Sequence, residues 1–275
     1  MTEVKASLKI KTMILSLMLA LAVLLPASVL SEPEWTYPIP PGILANKEGY
    51  LTLVNRDRLL SGNYEPHDLV TLTVKRTVGD TQMRKTVSQA LENMFAVAQN
   101  EYGLTLYVKS GYRSYHTQRT MYFNRVDSMG YDDGLVQYPG ASEHQTGLCA
   151  DILNYEWTKK DGMNYRFAET TEAKWMAEHC WEFGFVVRYE SDKEEITGIK
   201  FEPWHLRYVG RECAKYMWDN HLSLEEFTLE WEEYIASWEA QGGDFEALVM
   251  RLNLPNKVIV VETSEDGEEE ISAFY

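Results

Sequence analysis

Residues 142–151 of this 275-residue chain read Ser142-Glu143-His144-Gln145-Thr146-Gly147-Leu148-Cys149-Ala150-Asp151. The polar first half predicts a loop that carries His144, and the residues after it predict a strand over Leu148–Leu153 that carries Asp151. Histidine and aspartate side chains are both common zinc ligands in proteins. The stretch therefore predicts a loop and a strand that together present candidate metal ligands.

Helices and strands are predicted on both sides of this stretch. Apolar residues at helical spacing predict a helix over Lys85–Tyr102, and alternation predicts a strand over Leu104–Ser110. Further helices are predicted over Tyr115–Met129, Glu172–Phe183 and Ser223–Gln241, and further strands over Phe185–Tyr189 and Ile199–Leu206, the last interrupted at Pro203. Because helices and strands do not alternate regularly, we predict an α+β fold: one domain with a small, mainly antiparallel sheet flanked by helices.

The two ends of the chain differ in composition from its middle. Three lysines precede an apolar run over residues 13–25 and then small residues, so residues 1–31 are expected to be a signal peptide or an uncleaved membrane anchor. Residues 32–49 are proline-rich and predict an extended linker. Residues 50–241 are expected to form the catalytic domain, and residues 242–275 a C-terminal extension with an acidic tail. The domain is expected outside the cytoplasmic membrane, either secreted or anchored to it.

The composition excludes some classes of partner. There are 26 Lys and Arg residues against 42 Asp and Glu, which gives a formal charge of −16. Nucleic acids and anionic membrane surfaces attract clustered positive charge, so we expect no nucleic-acid partner and membrane contact only through an uncleaved N-terminal segment. Hydrophobic residues make up 45% of the chain, enough for a sizeable core. A monomer is the expected state.

Several kinds of catalytic site are excluded by inspection. The chain has no S-x-x-K, no G-x-S-x-G, no phosphate-binding loop and no H-E-x-x-H motif. Cys149, Cys180 and Cys213 are an odd number without C-x-x-C spacing, which argues against a zinc site built from thiolates. The sequence does not decide whether Cys149 and Cys180 form a disulfide.

Two further segments carry reactive side chains, Ser110-Gly111-Tyr112-Arg113-Ser114 and Glu202-Pro203-Trp204-His205. A catalytic zinc ion needs three protein ligands and one open position for water, and His144, Asp151 and His205 supply such a set. Glu202, three residues before His205, is a candidate base for the proton of that water. Arg113 can donate two parallel hydrogen bonds to a carboxylate or a developing oxyanion.

Together the three segments resemble the VanY-type D-alanyl-D-alanine carboxypeptidases, within the group of zinc peptidases that also includes lysostaphin and hedgehog domains. The family pattern S-x-H-x-x-G-x-A-x-D is matched at Ser142, His144, Gly147 and Asp151, the pattern E-x-W-H at Glu202, Trp204 and His205, and the pattern Y-R-S-x-x-x-Q at Tyr112, Arg113, Ser114 and Gln118. The resemblance covers roughly residues 51–231, with the motifs in order.

The resemblance implies Zn²⁺ as the cofactor, with His144, Asp151 and His205 as ligands and Glu202 as the catalytic base. The chain departs from the family pattern at Cys149, where the family usually has alanine. Residues two apart on a strand share a face, so the thiol is expected to point the same way as Asp151 and to lie near the metal.

The resemblance also implies how substrate is held. Ser142 and Arg113 are expected to bind the substrate carboxylate or the tetrahedral oxyanion, with Gln118 lining the pocket. The implied reaction removes the terminal D-Ala from peptidoglycan stem peptides or wall precursors.

Other interpretations stay open at this point. The same site could cleave an L,D-bond in tetrapeptides or act as an endopeptidase within the stem, since pocket depth decides between these reactions. The domain could also be a non-catalytic, zinc-stabilised wall-binding module, although Glu202 argues against this because a structural site needs no base. Arg113 in a structural ion pair and Ser142 as a turn residue are the ordinary alternatives for those two side chains.

Overall fold

The computed structural model of the protein describes residues 32–160 and 162–252, together with the backbone of residues 258–263 and 269–274. The predicted export or anchor segment, residues 1–31, and the middle of the acidic tail, residues 264–268, lie outside the described residues. Within the described ranges, no helix has both the length and the hydropathy needed to cross a bilayer.

The strands carry two of the predicted metal ligands, Asp151 and His205, and pair antiparallel within each sheet. In chain order they are β1 (Leu69–Thr71), β2 (Gln82–Arg84), β3 (Leu106–Ser110), β4 (Cys149–Asn154), β5 (Phe185–Val187), β6 (His205–Tyr208), β7 (Val258–Thr263) and β8 (Glu269–Phe274). A four-stranded sheet has the order β3-β4-β6-β5, while β1 pairs with β2 and β7 with β8. The predicted α+β fold with a small, mainly antiparallel sheet is confirmed.

Helices surround the four-stranded sheet. They are α1 (Pro41–Leu44), α2 (Lys85–Tyr102), α3 (Tyr115–Met129), α4 (Tyr155–Thr158), α5 (Thr171–His179), α6 (Glu194–Thr197), α7 (Arg211–Asn220), α8 (Leu224–Ala240) and α9 (Phe245–Leu252), with 3₁₀ turns at Glu143–Thr146, Tyr165–Glu169 and Cys180–Phe183. α2 and α3 have the predicted bounds, and α8 begins one residue after the predicted start, with Ser223 and Glu226 forming a capping box.

The longest helix, α2, packs on the sheet through an apolar face. Its buried residues recur every three or four positions and join the sheet residues in one core. This core includes Val87, Leu91, Met94 and Ala98 of α2 and Leu106, Val108, Ile152 and Leu206 of the strands. α2 ends at Gly103, whose φ of 69° is the left-handed conformation that glycine adopts without strain.

Two predicted elements differ from the structure. The helix predicted over Glu172–Phe183 is α-helical only to His179 and continues as a 3₁₀ turn. The strand predicted over Ile199–Leu206 begins only at His205, because Pro203 has no N–H and its fixed φ favours a turn. In that turn the N–H of His205 donates to the carbonyl of Glu202 at 3.0 Å. The other predicted strands of the central sheet are present with ends shifted by one or two residues.

The proline-rich segment over residues 32–49 packs against the last helices and is not an extended linker. Tyr37, Ile39 and Leu44 are buried in a second core with residues of α7 and α8. In an extended chain alternate side chains point the same way, so Tyr37 and Ile39 both face the helices. The hydroxyl of Tyr37 donates to Glu230 of α8 at 2.9 Å. The prediction of an extended linker is wrong. The many prolines obscured the alternation of apolar residues, which indicates that one side of the segment is buried.

We expect replacement of Ile39 by alanine to lower the free energy of unfolding by about 2–5 kcal/mol, as for other buried aliphatic residues. The exposed Glu34 lies in the same segment, and its replacement by alanine serves as the control, with an expected change within about 0.5 kcal/mol. Urea unfolding of the variants measures both values. Equal stability of the two variants would show that the segment behaves as a tether.

Candidate active site

The register of the central sheet sets Asp151 directly opposite His205. Asp151 on β4 pairs with His205 on β6, and directly opposite residues on neighbouring strands project to the same face. The Nδ1 atom of His205 lies 3.1 Å from Oδ1 of Asp151. On its other side Asp151 pairs with Ser110 of β3, where the register shifts after Val108. Two of the predicted metal ligands are therefore adjacent because of strand pairing.

His144 approaches the same carboxylate from the 3₁₀ turn before β4. Its Nδ1–H donates to the carbonyl of Gly111 at 2.7 Å, and its Nε2 lies 3.3 Å from Oδ2 of Asp151. Gly111 is required at this place because a Cβ there would lie 2.6 Å from the carbonyl oxygen of Gln82. Gly147, with a φ of 66°, ends the turn and leads the chain into β4. The two glycines thus bring His144 against Asp151.

The other ring nitrogen of His205 faces a carboxylate that the sequence analysis did not consider. Nε2 of His205 lies 3.5 Å from Oε2 of Glu143, whose side chain is fully buried. Burial raises the pKa of Glu143, but the guanidinium groups of Arg188 and Arg207 outweigh burial and hold that pKa well below its ordinary value. An ionised carboxylate only accepts hydrogen bonds, and both ring nitrogens of His205 face one, Asp151 at Nδ1 and Glu143 at Nε2. With a cation at Nδ1, the ring hydrogen would therefore stay on Nε2.

Both imidazoles turn a ring nitrogen toward the ionised Asp151 carboxylate, so positive charge at these nitrogens is favoured. Burial lowers the pKa of His144, but Cys149 and Asp151 outweigh it and raise that pKa to about 9. The pKa of His205 is also raised above its ordinary value, and that of Asp151 is lowered. Protonation of both imidazoles supplies this positive charge, and so does one divalent cation bound to neutral imidazoles.

The donor set and its spacing fit a zinc ion. In a tetrahedral site with bonds of about 2.0–2.1 Å, two ligand atoms lie roughly 3.3 Å apart. The Nδ1 atom of His205 lies 3.1 Å from Oδ1 of Asp151, and the Nε2 atom of His144 lies 3.3 Å from Oδ2, so each imidazole has one carboxylate oxygen at about this spacing. The three residues that the sequence predicted as ligands are thus brought together, with side chains that are nearly fully buried.

Cys149 lies beside the two imidazoles. One potential ligand atom each from His144, Cys149 and His205 lies within 4.8 Å of the others, and Asp151 is not a member of this group although it contacts both imidazoles. Burial raises the pKa of the Cys149 thiol, but the two histidines outweigh burial and bring it to about 7. Cys180 and Cys213 are buried elsewhere, where burial raises their pKa to about 12. All three cysteines are free, so the 149–180 disulfide is not formed.

Glu202 lies at the edge of the same group, on the turn that precedes β6. Its Oε2 is 3.6 Å from Nδ1 of His205, and 26% of its side chain remains exposed. Burial raises the pKa of the Glu202 carboxyl to about 7, with the charge of His205 opposing the rise. A carboxyl that titrates near neutral pH can accept a proton and later donate it.

Arg113 and Ser142 line a cleft of about 170 Å³ that opens over these residues. Arg113 donates from Nη1 to Oε1 of Gln118 at 2.8 Å and from Nη2 to Oγ of Ser110 at 3.2 Å. It forms no ion pair with a carboxylate among residues 32–160 and 162–252, so its charge stays available to a ligand. Ser142 does not cap the adjacent turn with its side chain. Gln118 is buried behind Arg113, outside the described cleft lining, so it positions the guanidinium.

A buried charge cluster behind His205 was missed by sequence reasoning. Oε1 of Glu143 accepts from Nε of Arg188 at 2.8 Å and from Nη1 of Arg207 at 2.6 Å. Arg188 also donates to both oxygens of Glu225, and Arg207 to three backbone carbonyls. Both arginines stand in otherwise apolar runs, Val186-Val187-Arg188 and Leu206-Arg207-Tyr208. A charged residue in such a run indicates a buried acidic partner, and this signal was present in the sequence.

Comparisons with known proteins identify the family. The VanY family model, described as D-alanyl-D-alanine carboxypeptidase, matches residues 80–211, which contain all the predicted site residues. The putative carboxypeptidase YodJ of Bacillus subtilis (strain 168) is 42% identical over 192 residues, which cover 67% of this chain and 68% of that protein.

Solved structures agree with this assignment. The structure of the LdcB LD-carboxypeptidase has a TM-score of 0.62 and 41% identity, covering 66% of this chain and 87% of the other. A mutant of the vancomycin-resistance D,D-pentapeptidase VanY, in complex with Zn(II), has a TM-score of 0.54 and 32% identity, covering 65% of this chain and 98% of the other. The chain therefore belongs to the VanY family of D-alanyl-D-alanine carboxypeptidases.

Proposed function

We propose that this protein is a zinc-dependent carboxypeptidase that hydrolyses the terminal D-Ala from peptidoglycan stem peptides ending in D-Ala-D-Ala. The observation that carries the proposal is the convergence of His144 Nε2 and His205 Nδ1 on Asp151, beside Glu202 in the cleft. The family description supports the substrate, and the Zn(II) complex of a relative supports the metal.

The residues of the site have distinct roles in this reaction. His144, Asp151 and His205 would hold the zinc ion, which when bound supplies a Lewis acid that polarises the scissile carbonyl and acidifies water. Glu202 accepts the proton of the attacking water and donates it to the leaving amine of D-Ala. The pairing of β6 with β4 places the His205 ring so that Nδ1 faces Asp151, with Glu143 3.5 Å from Nε2 on its other side.

Arg113 explains why the enzyme acts at a chain end. A free C-terminal carboxylate distinguishes the last residue of a stem peptide from every internal one. The guanidinium of Arg113, held by Gln118 and Ser110, has donors left for such a carboxylate, and paired hydrogen bonds of this kind are both strong and directional. We therefore assign to Arg113 the recognition of the substrate carboxylate, with the Ser142 hydroxyl beside it in the cleft.

Replacement of Arg113 by alanine is expected to lower kcat/KM by about 10²-fold, which corresponds to the loss of charged hydrogen bonds worth roughly 3 kcal/mol. Zinc content should not change, because Arg113 contacts no predicted ligand side chain. A peptide with a C-terminal amide should be a poor substrate of the wild type, and replacement of Arg113 should lower the kcat/KM for this peptide little further. Arg119, exposed on α3, provides the matched alanine control, and unchanged kcat/KM in the Arg113 variant would exclude the assigned role.

Cleavage of an L,D-bond is the second candidate function. The LdcB LD-carboxypeptidase is 41% identical to this chain, compared with 32% for the D,D-pentapeptidase. A tetrapeptide stem also ends in D-Ala, so Arg113 can serve both reactions, and the two differ only in the residue before the scissile bond.

Release of free D-Ala from matched pentapeptide and tetrapeptide stems tests both candidates. The full chain should release D-Ala from the pentapeptide, lose this activity with a chelator and regain it with added zinc. Release of D-Ala from the tetrapeptide but not from the pentapeptide would show that the enzyme catalyses the L,D-reaction and not the D,D-reaction. No release from either substrate by folded, zinc-loaded protein would contradict a carboxypeptidase and favour an endopeptidase or a zinc-stabilised wall-binding module.

We further propose that the reaction takes place outside the cytoplasmic membrane. The wall substrate is located there, and residues 1–31 have the order of an export segment. Cell fractionation tests the location, and a protein found only in the cytoplasm would contradict it.

A further inference from the structure

The strand that carries Asp151 also carries a side chain with no part in the reaction described above. Cys149 is fully buried on β4, where it pairs with Arg207 of β6, and it shares a face with Asp151. Its sulfur and one ring nitrogen each of His144 and His205 lie within 4.8 Å of one another. Around one zinc ion, a thiolate sulfur at about 2.3 Å and a nitrogen at about 2.0 Å lie roughly 3.5 Å apart. Small side-chain movements are enough to reach this spacing.

We propose that Cys149 is a fourth protein ligand of this metal site, bound through Sγ to the same ion as His144, His205 and Asp151. The inference rests on the metal site of the proposed function and adds a ligand to it. As the metal binds, the S–H bond breaks, the proton leaves to solvent, and a sulfur lone pair forms the bond to the metal. No oxidant or reductant takes part.

The surroundings of Cys149 differ from those of a cysteine that acts only as a small apolar side chain. Cys180 and Cys213 are of that ordinary kind, because each lies in an apolar core. Cys149 instead lies beside two buried imidazoles, each of which turns one ring nitrogen toward Asp151. A ring nitrogen and a thiolate sulfur can bind the same cation, and soft sulfur favours Zn²⁺ or Co²⁺ over Mg²⁺.

A fourth protein ligand has a consequence for the open position. Four protein ligands are typical of structural zinc sites, which are closed to water. Cys149 would therefore compete with water for the open position and would lower turnover while it is bound.

Optical spectra of the full chain loaded with Co²⁺ test the proposal directly, because a cobalt–thiolate bond gives a near-ultraviolet charge-transfer band. We expect the band in the wild type and in the matched variant Cys180→Ala, and its loss in Cys149→Ala. Bound Co²⁺ without this band in the wild type, or a band that persists in Cys149→Ala, would overturn the proposal.

Zinc affinity from competition with a chelator gives a second readout. The Cys149→Ala variant should bind Zn²⁺ roughly tenfold more weakly or worse, whereas Cys180→Ala should match the wild type. If Cys149→Ala does not fold, Cys149→Ser keeps the side-chain volume and should also lose the band. Equal zinc affinity of the wild type and a folded Cys149 variant would contradict ligation. Neither measurement needs substrate, so failure of this inference is distinguishable from failure of the proposed carboxypeptidase activity.

Discussion

Replacement of Glu202 by glutamine is expected to lower kcat by roughly 10²–10⁴-fold, the range for loss of a general acid–base group. Glutamine keeps the shape of the side chain and removes its ability to accept a proton. The zinc content should stay unchanged because Glu202 lies beside the ligand group, at 3.6 Å from His205, and is not one of the predicted ligands. The variant therefore separates loss of the base from loss of the metal.

The measurement is D-Ala release together with zinc content per protein. Glu195, exposed on α6, gives the matched glutamine control, whose turnover should equal that of the wild type. If the Glu202 variant keeps both zinc and full turnover, another group accepts the proton. If it loses zinc as well, Glu202 supports the metal and its assignment as a base fails.

Replacement of Glu143 by glutamine is expected to lower the free energy of unfolding by about 3–5 kcal/mol, as when one member of a buried ion pair is removed. Its carboxylate holds Arg188 at 2.8 Å and Arg207 at 2.6 Å. Arg188 retains Glu225 as a partner, but Arg207 is left fully buried with no carboxylate. The negative charge that lies 3.5 Å from Nε2 of His205 is also lost, so zinc affinity should fall as well.

The same residue predicts a pH dependence. The pKa of Glu143 is lowered in the folded protein from its ordinary value of 4.5, so its contribution is present above that value. As the pH falls below 4.5, the unfolded state takes up the proton first and the contribution is lost. The difference in stability between wild type and Glu143→Gln should therefore shrink in acid.

Urea unfolding at pH 7 and in acid, with equal metal loading, measures this difference. Glu232 forms an exposed ion pair with Arg58, and its replacement by glutamine should cost less than about 1 kcal/mol. A difference between wild type and the Glu143 variant that does not change with pH would show that the carboxylate contributes through packing and not through its charge.

Much of the site could be predicted because its residues are marked by local patterns. The helices α2 and α3 follow from apolar spacing and from the glycines that end them, and both patterns act within a few residues of chain. The predicted ligands, base and guanidinium stand in three short motifs whose residue types define their chemistry. These features depend on neighbours in sequence, so the sequence by itself determined them.

The remaining features depend on contacts between distant parts of the chain. Asp151 meets His205 across 54 positions and Glu143 meets Arg207 across 64, and no local periodicity encodes which strand pairs with which. Likewise residues 32–49 fold onto helices some two hundred positions later, as Tyr37 does with Glu230. Tertiary structure alone decided strand register and the buried charges behind His205, because each is settled by packing in three dimensions.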